Sequence, residues 1–246
     1  MVSVSILQTQ KLHKHFNGVN AVDHLSLRIE KGKVTGIVGP NGSGKTTLVN
    51  LLTGMVPSDS GAVLVSEMKL SRIRPYDVRT YGMTRTFQQV RLFQQMSVLD
   101  NVLVVLTERG VFLSLFEYHT NFHLRQAKVV LEQVGLWDKR NENAENLSYG
   151  QRKLLEIARA LAMGSDTMLL DEPFAGLFPS MKKTVAGIVQ KLRSEGKTVV
   201  LIEHDMEIIK HLSDHLIVLD AGKLLAEGKS HEVLSRKEVI EAYLGE

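Results

Sequence analysis

The chain has 246 residues, of which 43% are hydrophobic and 23% charged, so it can bury a sizeable core without staples and shows no disordered composition. It has no cysteine, which excludes disulfides and thiolate zinc sites, and its formal net charge of +3 is too small and scattered to argue for nucleic acid. The opening Met1-Val2-Ser3-Val4 lacks a signal-peptide pattern, and the densest apolar stretches, Val102–Leu106 and Val111–Phe116, are far shorter than the roughly 20 residues that span a bilayer, so a soluble chain is expected, with any membrane role exercised through a partner.

Along the chain, Leu25, Leu27 and Ile29 alternate with polar residues, the period of a half-buried strand. Val34–Val38 is a short apolar strand running into glycines, and Thr46–Thr53 reads as a helix stopped by Gly54. Further strands are expected at Gly61–Val65 and Thr80–Phe87. The middle is helical from about Gln89 to Ser165. Ser97 and Asp100 cap a helix over Val98–Thr107, Asn121–Val134 is amphipathic, and Ser148 with Gln151 opens a helix over Tyr149–Ala162. Thr167–Leu170 and Thr198–Ile202 are continuous apolar strands of the buried parallel type, with a helix over Pro179–Arg193 between them. Leu216–Leu219 and Lys223–Ala226, joined by Asp220-Ala221-Gly222, form a hairpin.

Two motifs carry chemistry. Gly39-Pro40-Asn41-Gly42-Ser43-Gly44-Lys45-Thr46 is a complete phosphate loop between a strand and a helix, extended by Thr47. Its glycines let successive N–H groups converge on phosphate oxygens at a helix N-terminus, with Lys45 reaching the outer phosphates and Thr46 offering its hydroxyl to magnesium. Met168-Leu169-Leu170-Asp171-Glu172 sets two carboxylates at the C-terminal end of an apolar strand, where ligands bind in open parallel sheets. Asp171 suits the magnesium shell, and Glu172 suits a general base acting on water.

Together with Leu147-Ser148-Tyr149-Gly150-Gln151 ahead of the acidic pair, these motifs resemble the nucleotide-binding subunits of ABC transporters, whose marker is LSGGQ. The resemblance implies an α/β P-loop fold of the ABC ATPase type: a mixed sheet, an N-terminal antiparallel β portion and an inserted helical subdomain. It implies one domain over 1–246, with the catalytic core at 1–88 and 166–246 and the marker-bearing helical subdomain at 89–165. By position, Ser148 and Gly150 would meet the γ-phosphate of the opposite subunit, with Gln151 among the nucleotide contacts. Gln88 would sense magnesium and water, and His204 would touch the γ-phosphate. Phe16 would stack on adenine, with Val22 among the nucleotide contacts. The implied cofactors are ATP and Mg2+. The implied partners are a second ABC ATPase subunit, integral membrane permease subunits and, indirectly, a solute-binding protein, with no nucleic acid. The implied location is the cytoplasmic face of the membrane.

A narrower similarity is to the branched-chain amino acid importer branch. It rests on Phe16–Val22, Arg152–Arg159, Ile202-Glu203-His204-Asp205-Met206, the closing Val239–Glu246 and the apolar insert Gly110–Phe116. Lipid or lipopolysaccharide export shares every catalytic residue and stays open as an alternative, as does a soluble ABC ATPase acting on DNA or ribosomes. Two positions depart from the family pattern: Tyr149 replaces the first marker glycine, and Phe178 stands where a polar Asp or Asn links the two sites, hinting at a non-identical pairing subunit. His13, His15, His204, His211 and His215 read as solvated or core residues rather than a metal centre.

Overall fold

A computed structural model describes residues 5–106 and 121–244. The end of the first middle helix at Thr107 and the apolar insert at 110–116 lie outside the described residues. The chain divides into two compact units. One comprises Met1–Arg85, Asp166–Glu172 and Val189–Glu246; the other comprises Thr86–Ser165 and Pro173–Ile188.

The first unit holds both sheets. The antiparallel sheet is built from β1 (Ser5–Phe16), β2 (Val19–Leu25), β3 (Arg28–Glu30), β5 (Ser60–Val65) and β6 (Met68–Leu70), in the order β2-β1-β5-β6 with β3 also pairing β1. The six-stranded sheet runs β11-β10-β4-β9-β8-β7, from β4 (Val34–Val38), β7 (Met83–Arg85), β8 (Thr167–Asp171), β9 (Thr198–Ile202), β10 (His215–Asp220) and β11 (Lys223–Gly228). Every residue of β4, β8 and β9 is buried, as their unbroken apolar runs predict for parallel strands covered on both faces. Only β10 and β11 pair antiparallel in this sheet, through a tight turn with Ala221 and Gly222 both at positive φ. One apolar cluster, centred on Leu7, Ile29, Ile37, Leu48, Leu52, Leu169 and Ile217, joins residues of both sheets to α1 (Lys45–Leu52).

The alternation at Leu25–Ile29 is divided between two strands. Thr9 sits at the break: its hydroxyl donates to the Leu25 carbonyl at 2.8 Å and accepts from the Leu27 amide at 3.0 Å, so its side chain bridges the gap between the two strands. The strand expected over Thr80–Phe87 shrinks to Met83–Arg85. Thr80 and Gly82 close a turn on Asp77 and Arg79, and the Phe87 amide leaves the sheet to bond a glutamate side chain.

The second unit is helical. Its elements are α2 (Val98–Leu106), α3 (Asn121–Gln133) and α4 (Tyr149–Ala162), which pack on one another, and the first part of α5 (Pro179–Ser194), whose residues from Val189 belong to the first unit. Three short helices in the first unit, α6 (Met206–Leu212), α7 (Ser230–Val233) and α8 (Lys237–Leu244), follow β9 and the hairpin.

Candidate nucleotide site

The phosphate loop leaves β4 at Val38 and enters α1 at Lys45. Two of its glycines are obligatory. Gly39 has φ 153° and a Cβ there would lie 2.1 Å from the Leu219 carbonyl; Gly44 has φ 97° and a Cβ would lie 2.2 Å from that of Ala21. The loop curls around the Lys45 side chain, whose Nζ donates to the carbonyls of Gly39 at 2.7 Å and Pro40 at 2.9 Å and to Ser43 Oγ at 3.3 Å. A buried ammonium is thus held inside the curl, at the N-terminus of a helix with no acid in its first turn. Both features favour a bound anion. Asn41, Gly42 and Thr46 are exposed, and Thr47 is half-buried.

In the same unit Asp171 closes β8. Its carboxylate accepts from Arg85 Nη2 at 2.7 Å, an ion pair almost entirely removed from water. The other guanidinium arm, Nη1, donates to Asn50 Oδ1 at 2.7 Å and Thr53 Oγ1 at 3.1 Å, so α1 and the sheet share one buried cation. Glu172 then turns sharply at φ 48°, a left-handed conformation that costs a non-glycine residue about 1–3 kcal/mol. Its amide donates to Ile202 at 2.9 Å, and the turn places Oε1 at 3.0 Å from His204 Nε2. The neighbouring strand ends thereby deliver the carboxylate and imidazole to each other.

Phe16, at the end of β1, is 44% exposed and Lys14 Nζ lies 5.2 Å from its ring centroid, so it is a surface aromatic rather than core packing. Val22 behaves oppositely. It is fully buried in the apolar cluster and presents no surface to a ligand.

In the second unit, Ser148 caps α4. Its hydroxyl accepts from the Gln151 amide at 3.3 Å, while Gln151 Oε1 accepts from the Ser148 amide at 3.0 Å, completing the reciprocal cap that the spacing predicts. Gly150 is buried, and a Cβ there would meet Met181 Sδ at 2.5 Å. Tyr149 projects with its ring against Gly176, and Phe178 is 72% exposed. Gln88 is exposed beside Phe87, whose amide donates to Glu156 Oε1 at 3.0 Å. Burial pushes the Glu156 carboxyl up to about 7, with the Phe87 amide opposing the shift.

The family model for ABC transporters matches residues 22–175, and that for the branched-chain amino acid ATP-binding cassette transporter matches residues 223–246. This chain is a member of the ABC transporter family. Over 254 residues it is 36% identical to the high-affinity branched-chain amino acid transport ATP-binding protein LivG of Salmonella typhimurium, covering all of both chains. It superposes on the ADP conformation of an ATP-binding cassette of an ABC transporter with TM-score 0.86 and 35% identity, covering 99% of this chain and 100% of that one. A dimeric structure of a bacterial ABC transporter cassette gives TM-score 0.81 and 26% identity, with 91% and 98% covered. The ABC cassette accordingly binds ATP and hydrolyses it in support of transport. None of its described helices is long and apolar enough to cross a membrane.

Sequence reasoning missed Arg85 and Glu156. Both are charged residues whose importance comes from burial, and the faint signal for Glu156 is a lone acid on the inward stripe of an otherwise amphipathic helix. The cassette divides its expected site residues between units. Lys45, Thr46, Asp171, Glu172 and His204 stand in the first, and Gln88, Ser148, Gly150 and Gln151 in the second.

Proposed function

We propose that this cassette powers the import of branched-chain or similar hydrophobic amino acids through a separate membrane permease, from the cytoplasmic face, hydrolysing Mg-ATP between two cassettes that close head to tail. The full-length similarity to LivG proteins supports the cargo, and the dimeric relative supports the pairing of two cassettes.

In this reading the loop amides and Lys45 bind the β- and γ-phosphates, and Phe16 stacks on the base through its exposed face. Thr46 and Asp171 offer hard oxygen donors, the set that Mg2+ takes, and Gln88 would complete it. When bound, the ion neutralises charge developing on the transferring phosphoryl group. Glu172 orients a water for in-line attack and accepts its proton, while His204 steadies that carboxylate and faces the γ-phosphate. Ser148, Gly150 and Gln151 complete the partner cassette's site from the capped end of α4.

The observation that carries the catalytic assignment is the 3.0 Å contact between Glu172 and His204, at a backbone turn where Glu172 has φ 48°. The cargo is tested by purifying the cassette from detergent-solubilised membranes, identifying the permease that accompanies it, and measuring ATP-driven leucine uptake into vesicles containing both. Leucine accumulation that needs the cassette is the expected result. A co-purifying exporter, or uptake indifferent to every branched-chain amino acid, rejects the cargo.

A further inference from the structure

The antiparallel sheet gathers His13 and Asp23-His24 on one patch. Consecutive residues of a strand normally point to opposite faces, so Asp23 and His24 should diverge. A bulge overrides this. Leu12 pairs Leu25 and Lys14 pairs Val22, so one residue of β1, His13, opposes two of β2, Asp23 and His24. His24 takes φ 49° at that point, a conformation that imidazole side chains adopt only at a cost. The result is convergence. His24 Nδ1 lies 2.7 Å and His13 Nδ1 3.5 Å from the same oxygen, Asp23 Oδ1, and the two rings sit 4.7 Å apart.

His13 is the informative member. Its Nδ1 is buried and has no hydrogen-bond partner, although it faces a carboxylate. A plain histidine–aspartate hydrogen bond accounts for His24 but requires neither His13 nor the bulge. Nitrogen and oxygen ligands about 2.0–2.1 Å from a tetrahedral ion stand about 3.3 Å apart, and the observed spacings bracket that value. The Asp23 backbone is pinned by its amide to the Gly222 carbonyl at 2.9 Å, and Lys223 Nζ stands 3.3 Å from the other carboxylate oxygen, Oδ2. A second grouping, His13 with His15 and Asp59, is less suited. Lys14 occupies one Asp59 oxygen, and the His15 amide and ring occupy the other.

We infer that His13, Asp23 and His24 form a binding site for a borderline transition-metal cation such as Zn2+, separate from the magnesium of the nucleotide. Two imidazoles and one carboxylate suit zinc-like ions and discriminate against Mg2+, which prefers oxygen throughout. The site sits three residues before Phe16 on β1, so an occupied site would stiffen the hairpin that carries this aromatic.

The test is calorimetric titration of the tag-free full chain with Zn2+ in the absence of nucleotide, beside a His24→Asn variant. Asparagine tolerates the left-handed backbone, so the variant should keep the fold. Saturable binding of one Zn2+ by the wild type, weakened tenfold or more in His24→Asn, is the expected result. No saturable binding in the wild type, or a loss of less than tenfold in the variant, overturns the site. Should His24→Asn not fold, Asp23→Asn is read by the same two criteria.

Discussion

Glu172 occupies a backbone conformation that glycine would hold without strain, yet the residue is an acid with its carboxylate against His204. The Glu172→Gln variant keeps the geometry and removes only the proton acceptor. Nucleotide binding should therefore persist while turnover falls by on the order of 100-fold or more. Binding by fluorescent-nucleotide titration and phosphate release in the same preparation separate the two, and near-normal release would remove Glu172 from its role. Arg85 offers the complementary case. It is the buried counter-charge of Asp171 and also holds Asn50 and Thr53, so Arg85→Met strands a carboxylate out of water. Urea unfolding should register a loss of about 3–5 kcal/mol, partly recovered when Asp171→Leu is added. The difference between these residues also explains what the sequence discloses. Lys45 and Glu172 stand in motifs whose spacing would follow from the phosphate and water roles proposed for them, so they are legible in one dimension. Arg85 acquires its role only when β7, β8 and α1 meet, and nothing in its neighbours along the chain announces that.

Among the elements, α4 combines two devices. Its N-terminus is the reciprocal cap of Ser148 and Gln151, and about two turns later it buries Glu156, which accepts from the Phe87 amide. The Glu156 carboxyl is raised from its ordinary 4.5 to about 7, chiefly by burial. The folded chain therefore keeps a proton that the unfolded chain releases between those values. Glu156 contributes fully to stability below about pH 4.5, and that contribution is lost as the pH climbs through 7. In Glu156→Gln the acceptor remains and the titration disappears. Urea midpoints from about pH 5 to 8 should decline in the wild type relative to the variant; parallel profiles would count against the buried acid. Elements with unbroken periodicity, such as β4, β8, β9 and α4, were readable from sequence because burial imposes their pattern directly. The longest strand, β1, is not legible in this way, because an extra residue at Lys11–Leu12, with Lys11 at positive φ, interrupts its alternation. The brief helices α6, α7 and α8 are too short to develop a period.

At the scale of the whole molecule, the marker serine and the phosphate loop belong to different compact units, and the marker's cap exposes Ser148. If each cassette completes its partner's site, turnover per subunit should climb with protein concentration before levelling off. A Ser148→Arg substitution should abolish that rise while leaving nucleotide binding by the single chain intact. Turnover per subunit that is flat across dilution would point instead to a self-sufficient catalyst.

The exposed phenyl ring at the end of β1 has a consequence for fuel choice. A ring recognises the flat face of a heterocycle, and every base has such a face, whereas discrimination among bases needs donors and acceptors aimed at their edges. Guanosine and inosine triphosphates should therefore run this engine at rates close to those with adenosine triphosphate, which competition assays with mixed purines can measure. Its preference in the cell would then follow from which purine is most abundant rather than from molecular recognition.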